Sequence, residues 1–295
     1  MRSSFKYLRP ASVAEAIKMK DQYGTQAIYW AGGTDLVLQW DRSLIKPGYC
    51  IDITKLAGMS FIENESSPIR IGALTALSVL ERSDSNDPCL KAIAKVASMM
   101  CTVQTRTIAT IAGNLCNASP AADLSTSLVA MGAILKVQGL KGERKIPLDE
   151  FMISPGKTVL VNSELVTEIL IPKADSPFSS VYHRIDRTVV DIALVSAASS
   201  LTLNKNGVVA SARVALGAVA PRVIRSSRAE ALLVGRNISE CDEAFLREVG
   251  EAASLDATPI SDIRASAAYR TAMVKVLVRK TLNENCQNLT SYSDD

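Results

Sequence analysis

The feature that most constrains this chain is a glycine turn reached directly from an apolar run. Ala27 to Trp30 is four residues of strand-like character, and it ends abruptly at Ala31-Gly32-Gly33-Thr34-Asp35-Leu36. Glycines at such a point permit backbone conformations closed to other residues and let a ligand approach the amides closely. Successive N–H groups in the turn form an anion-binding nest, to which Thr34 adds a hydroxyl donor. Asp35 is placed to cap the next helix or to orient the loop. On its own, the same string also reads as an ordinary connection from strand to helix.

A second motif repeats the design. Ile108 to Ile111 is β-branched and predicts a strand that closes in a glycine turn at Gly113. The stretch from Thr110 to Asp123 crowds Thr110, Asn114, Asn117, Ser119 and Asp123 around that turn. Such a density of donors and acceptors suits a ribityl chain and a pyrophosphate, and equally an Asn/Ser-rich loop. Neither motif has the G-x-G-x-x-G spacing. Pro155-Gly156-Lys157-Thr158 resembles the end of a P-loop, but Phe151 stands where the first glycine belongs.

Between these motifs the chain alternates helix and strand. Phe5-Lys6-Tyr7 is a short strand, and Ser12 with Glu15 has capping-box spacing for a helix that stops before Gly24. Tyr49 to Ile53 and Ile69 to Ile71 predict strands, Thr75 a cap for a helix through Leu80, and Leu90 to Met100 a helix. Strands follow at Ile134 to Val137 and Glu164 to Ile171. Pro, Ser, Asp and Lys cluster from Pro172 to Ser180, marking a boundary. The expected division is residues 1–175, in lobes of about 1–55 and 56–175, and residues 176–295. Beyond it, Asn204-Lys205-Asn206-Gly207 predicts a hairpin turn. Helices are expected around Arg228 to Val234, Glu243 to Ala253, and from Ser261-Asp262 to Leu282, followed by a frayed polar tail from Asn283. Arg264, Arg270, Lys275, Arg279 and Lys280 are expected on a solvated helix face.

Composition removes several functions. The 33 basic and 30 acidic residues nearly balance, which does not suggest the basic face of a nucleic-acid binder. No apolar run approaches bilayer length and the N-terminus lacks a signal-like core, so the chain reads as soluble and cytoplasmic. Its six cysteines form no C-x-x-C pair, so neither a metal cluster nor a disulfide framework is expected. His183, the one histidine, makes a hydrolytic triad or histidine metal cage impracticable. No side chain is assigned a catalytic role.

Taken together, the motifs resemble the FAD-binding medium subunit of the xanthine dehydrogenase, carbon monoxide dehydrogenase and nicotinate dehydrogenase group of molybdenum hydroxylases. That family shows A-G-G-(T/H)-(D/S)-L, then T-I-G-G-N with a downstream S-P-x-x-D. Tyr182-His183-Arg184-Ile185-Asp186-Arg187 followed by Asp191-Ile192-Ala193 resembles its Y-x-K-x-x-R-x-x-x-D-I-A stretch. The resemblance runs from about Phe5 to Leu282. Departures are Ala112 in place of a glycine, Arg184 where many relatives have lysine, and the missing cluster-binding insertion of one branch.

The resemblance implies an α+β fold: a two-lobed FAD-binding domain of the vanillyl-alcohol oxidase/CO dehydrogenase flavoprotein type, plus a smaller C-terminal α+β domain. It implies that Tyr29, Trp30, Ala31, Gly32, Gly33, Thr34, Asp35 and Leu36 wrap the FAD pyrophosphate. Thr110, Gly113 and Asn114 would form a second wall, with Asp123 on the cofactor's polar chain. Val166 would pack on the flavin or adenine, and Tyr182, His183 and Arg184 would approach the isoalloxazine. Electrons would come from 2Fe-2S clusters of a small subunit and leave to NAD or another acceptor. The molybdopterin cofactor would sit on a large subunit, in a heterotrimer that dimerises. Rivals are a self-sufficient FAD oxidoreductase of the same superfamily and a flavin-free scaffold subunit.

Overall fold

The computed structural model describes residues 4–65, 67–188 and 190–290. The chain opens as strand, helix, strand. Strand β1 (Lys6–Leu8) leads to helix α1 (Val13–Tyr23), whose first turn is tied down as its spacing predicts. Ser12 Oγ accepts the Glu15 N–H at 3.2 Å, and Glu15 Oε2 accepts the Ala11 N–H at 2.6 Å. Strands β2 (Ala27–Trp30) and β3 (Tyr49–Asp52) complete a three-stranded parallel sheet in the order β1-β3-β2. The short helix α2 (Leu36–Asp41) lies between them in sequence, directly after the first glycine turn.

The second sheet is antiparallel, in the order β4-β5-β10-β6-β7. Its strands are β4 (Ile62–Glu63), β5 (Ile69–Gly72), β6 (Ile134–Gly139), β7 (Gly142–Pro147) and β10 (Leu165–Ile171), with β8 (Met152–Ser154) and β9 (Lys157–Thr158) forming a separate pair. Helices α3 (Leu77–Glu81), α4 (Pro88–Met99), α5 (Val103–Arg106), α6 (Ile111–Cys116) and α7 (Asp123–Ala130) fall between β5 and β6, and α8 (Leu148–Phe151) follows β7. All eight residues of α7 are buried, which is what a helix of small and apolar residues requires when it is covered on every side.

The third sheet is the antiparallel meander β11 (Phe178–Ile185), β12 (Val195–Leu203), β13 (Val209–Gly217), β14 (Ile224–Arg225). At the β12–β13 turn, Asn204 Oδ1 accepts from the Asn206 and Val208 amides, and Gly207 takes φ 73°. The sheet is covered on both faces, hence the almost unbroken burial of β12. Tyr182, Ala198 and Ala215 join the first core, while Val195, Ala197 and Leu216 join a second core under α9 (Ser227–Leu233), α10 (Glu243–Ser254) and α11 (Ala267–Thr290).

Four local expectations fail for identifiable reasons. Thr75 does not cap α3. Its buried hydroxyl instead accepts from the Phe61 amide and donates to the Phe61 carbonyl, both at 3.1 Å. Residues Ile108 to Ile111 form no strand, because Thr110 makes only a single bridge to Ala76 before α6 begins. The last helix starts at Ala267 and continues to Thr290, through the residues expected to fray. Asn285 is fully buried there and donates to the Ser199 carbonyl and hydroxyl at 2.9 and 2.8 Å, and Leu289 is in the core. Arg270 is not on a solvated face. It is 2% exposed, donates to the Leu194 and Ala218 carbonyls, and pairs with Asp262 at 2.8 Å. Arg264 precedes the helix and pairs with the same Asp262.

Candidate cofactor site

The two glycine motifs meet in space. A Cβ on Gly32 would lie 2.0 Å from the carbonyl oxygen of Ile108 and 3.0 Å from Ala109 Cα. The first turn therefore rests its backbone directly on the segment that leads into the second motif, an approach only glycine allows. Gly33 has φ 70°, and a Cβ there would be 2.8 Å from the Trp30 ring. Trp30 is in turn held against Phe5, with ring centroids 6.2 Å apart. Asp35 occupies the position before α2 but makes no side-chain cap bond and is exposed. Tyr29, Trp30, Ala31, Thr34 and Leu36 are half-buried along the same wall.

The second wall is a helix start and not a glycine turn. Thr110 Oγ1 accepts the Gly113 N–H at 3.1 Å, so Thr110 caps α6 and Gly113 lies in its first turn. Gly113 is not among the residues with positive φ. Its lack of a side chain matters instead because a Cβ would sit 2.8 Å from the capping hydroxyl. Ala112 is inside the same helix, also without positive φ, so alanine is accommodated there.

On the two segments that carry these motifs, β2 and α6, two buried polar atoms have no hydrogen-bond partner among the described residues: the phenol oxygen of Tyr29 and Oδ1 of Asn114. Burial pushes the Tyr29 phenol well above its ordinary range, so it is a neutral donor. Unpaired buried polar atoms are costly, and a group that offers hydroxyls and phosphate oxygens would satisfy them. A glycine-lined backbone contact, two orphaned polar atoms and the amides of the turn from Gly33 to Leu36 fit a dinucleotide.

Asp123, Tyr182 and Arg184 are brought together, but chiefly with one another. Asp123 is 7% exposed. One of its oxygens accepts from the Tyr182 phenol, and Oδ2 lies 2.7 Å from Arg184 Nη1. Burial pushes the Asp123 carboxyl up, against the pull of the Arg184 guanidinium. Arg184 also pairs with Asp186 at 2.8 Å and donates to the Met99 carbonyl at 2.8 Å. His183 points the other way, because successive strand residues alternate faces. Its Nε2 is 2.7 Å from Glu284 Oε2 on α11, so it does not join Tyr182 and Arg184. Val166 is 2% exposed within the first core and is spent on packing, as a β-branched mid-strand residue commonly is.

Arg106 was not singled out from the sequence. It is 7% exposed and donates to the Met100 and Cys101 carbonyls at 2.8 and 2.9 Å while pairing with Glu81. With Arg184 on Met99, two guanidiniums hold three consecutive carbonyls at the end of α4. That fixes the loop entering the second motif, where Cys101 takes φ 37°. An arginine between two threonines carries no sequence signal for such a task.

Residues 3–174 match the family described as FAD binding domain in molybdopterin dehydrogenase, and residues 180–285 match the CO dehydrogenase flavoprotein C-terminal domain. The chain is 30% identical over 279 residues to the 6-hydroxypseudooxynicotine dehydrogenase complex subunit alpha of Paenarthrobacter nicotinovorans, covering 95% of this chain and 93% of that one. It is 30% identical over 284 residues to the carbon monoxide dehydrogenase medium chain of Hydrogenophaga pseudoflava, covering 95% and 96%. A solved structure of that organism's carbon monoxide dehydrogenase, in a form lacking the Mo-pyranopterin moiety, superimposes with a TM-score of 0.92 at 29% identity, covering 98% and 99%. Quinoline 2-oxidoreductase from Pseudomonas putida 86 superimposes with a TM-score of 0.89 at 25% identity, covering 98% and 99%. Among the described residues, no helix is long and apolar enough to cross a membrane.

Proposed function

The chain belongs to the FAD-binding subunits of the molybdenum hydroxylase family, and we propose that it relays electrons within a complex whose organic substrate is oxidised on another chain. In this reading a small iron–sulfur subunit with 2Fe-2S clusters delivers the electrons. NAD or another acceptor removes them, and a large subunit carries the molybdopterin cofactor. The assembly is a heterotrimer that dimerises. The division between the two domains is proposed at residues 175 and 176, in the connection from β10 to β11.

The observation that carries the reading is the contact of Gly32 with Ile108 and Ala109, which joins both glycine motifs into one cradle. When bound, FAD supplies the capacity to take up electrons singly and release them as a pair. The chain's own residues hold and orient. The amides of Gly33 and Thr34 would receive the pyrophosphate. Tyr29 would donate its phenol proton to a cofactor oxygen, and Asn114 Oδ1 would accept from a cofactor hydroxyl. Tyr182, Asp123 and Arg184 would act from behind, fixing β11 against α7 so that the flavin end of the cradle keeps its shape.

The test is to purify the flavoprotein alone and add purines, aldehydes and N-heterocycles in turn while recording visible absorbance. The expected result is no bleaching by any organic substrate, with slow reduction by NADH. Rapid bleaching by one of the organic substrates, without partner subunits, would replace the relay with a self-sufficient oxidoreductase. A folded but colourless protein that takes up no added FAD would support a scaffold role.

A further inference from the structure

One face of the C-terminal sheet packs into the first core, and the far end of that face is polar. Ser200 lies opposite Arg213 and Thr202 opposite Ser211, in step with Ala198 and Ala215, so β12 and β13 turn all of them to one side. There they border a cleft of about 280 Å³, whose other wall is residues 130–132 at the end of α7 and residues 172–174 after β10. Arg213 is half-buried in it. A Cβ on Gly132 would lie 3.1 Å from both Nε and Cζ of Arg213 and 3.4 Å from Nη2, so the guanidinium rests flat on the glycine. Among the described residues, no acceptor meets that guanidinium, and the hydroxyls of Thr202 and Ser211 have no partner. Lys173 also lines the cleft, but its ammonium donates to the Asn64 carbonyl and lies 3.6 Å from Asp87. None of the described residues lining the cleft is acidic. Asp149 and Glu230, whose charges reach Arg213, are both paired with Arg225. Burial first, then the Arg225 charge, pushes the Arg213 guanidinium down from its ordinary value. An arginine stays protonated nonetheless, so the cleft holds an uncompensated positive charge.

We propose that this cleft binds a phosphate group, free or esterified to a small molecule, with Arg213 as the residue that pairs with it. Gly132 holds one face of the guanidinium, which leaves its edge to present two parallel N–H donors, the geometry that phosphate oxygens accept. Thr202 and Ser211 add neutral hydroxyl donors from the adjoining strands. A tetrahedral anion can take donors from several directions at once, whereas a planar carboxylate is satisfied by the guanidinium alone. The cleft is larger than a bare phosphate requires, and Met131, Pro172 and Phe178 give the remaining space an apolar lining for a short carbon chain. The site is separate from the cofactor cradle. Asp123 begins α7 beside Tyr182 and Arg184, and the cleft opens at the opposite end of that helix. A phosphate held there would tie the C-terminal sheet to the end of α7, so its binding should stabilise the folded chain.

The experiment titrates the full-length, FAD-loaded protein at neutral pH with inorganic phosphate and, separately, with glycerol 3-phosphate, against chloride of matched ionic strength. Calorimetry and the thermal midpoint are the readouts. The expected result is saturable binding of one equivalent per chain, with a midpoint that rises with ligand concentration as mass action requires. Arg213→Gln should weaken binding by roughly tenfold or more, and Arg213→Lys should also weaken it, because an ammonium cannot present the paired donors. Thr202→Val keeps the charge and should weaken binding by roughly threefold to tenfold, which maintains the test if Arg213→Gln does not fold. Circular dichroism and flavin absorbance establish that each variant is folded and loaded. Tighter binding of glycerol 3-phosphate identifies the ligand as a phosphorylated small molecule, and tighter binding of inorganic phosphate identifies the free ion. Absence of saturable binding by both probes would overturn the proposal, as would equal affinity in Arg213→Gln and the parent protein. Release of FAD by phosphate would also overturn it, by placing the anion in the cradle.

Discussion

Arg184 Nη1 on β11 lies 2.7 Å from Asp123 Oδ2 at the start of α7, and Tyr182, two residues away on the same strand, donates to the other oxygen of that carboxylate. One buried acid thus clamps the edge strand of the C-terminal sheet to the helix at the centre of the N-terminal region. Removing one partner of a buried ion pair leaves the other uncompensated, which costs about 3 kcal/mol. Asp123→Leu should therefore lower stability by about that amount, while Tyr182→Phe should cost about 1 kcal/mol. Urea denaturation followed by circular dichroism measures both. Equal midpoints for Asp123→Leu and the parent protein would show that the clamp is not structural.

Substitution of the two motif glycines should separate folding from cofactor binding. Gly32→Ala puts a methyl group 2.0 Å from the Ile108 carbonyl, which is backbone and has no room to yield. Its expected outcome is poor folding and no bound FAD. Gly113→Ala meets only the Thr110 hydroxyl, at 2.8 Å. The cap should weaken by about 1 kcal/mol, giving a folded protein with reduced FAD affinity. Flavin-to-protein ratio after gel filtration, with circular dichroism, distinguishes the two. Normal FAD content in Gly32→Ala would remove the cradle assignment.

The acid limb of the stability profile should report on Asp262. Its carboxyl is held well below the usual carboxylate range, first by the Arg264 side chain, and it also anchors the buried Arg270. A depressed folded-state value means that this stabilisation is present above the unfolded value of about 3.9 and is lost as pH falls through the folded value. Stability should therefore decline below about pH 4. Asp262→Asn should be less stable at neutral pH and show a flatter decline in acid. Thermal midpoints between neutral and acidic pH provide the check, and parallel profiles for the two proteins would refute it.

Truncation after Leu282 should be damaging. It removes Glu284, which pairs with Lys95 and His183, together with Asn285 and Leu289. The loss leaves the Ser199 carbonyl open and the end of the second core uncovered, so the shortened protein should unfold at markedly lower temperature. An unchanged thermal midpoint would mean that the last turns of α11 contribute nothing.

What the sequence by itself determined were features set by neighbouring residues. The capping of α1 by Ser12, the strand Ala27–Trp30 ending at two glycines, and the Asn204–Gly207 hairpin all follow from local backbone rules. The ordered motifs also carried the family, because each is a short string whose glycines, asparagines and aspartate stand in fixed order. The tertiary structure alone decided how those strings are used. Only the folded chain shows that Gly32 is required by the backbone of Ile108, far along the sequence, and that Gly113 belongs to a helix start. Only there does strand alternation turn His183 away from Tyr182 and Arg184. The same holds for Arg270 and Asn285, which are polar in the string yet buried in the protein. Their partners, the Leu194 and Ser199 carbonyls, come from residues that pattern reading cannot pair with them. Burial of a polar group depends on a partner at long range, and long-range partners exist only once the layers have packed.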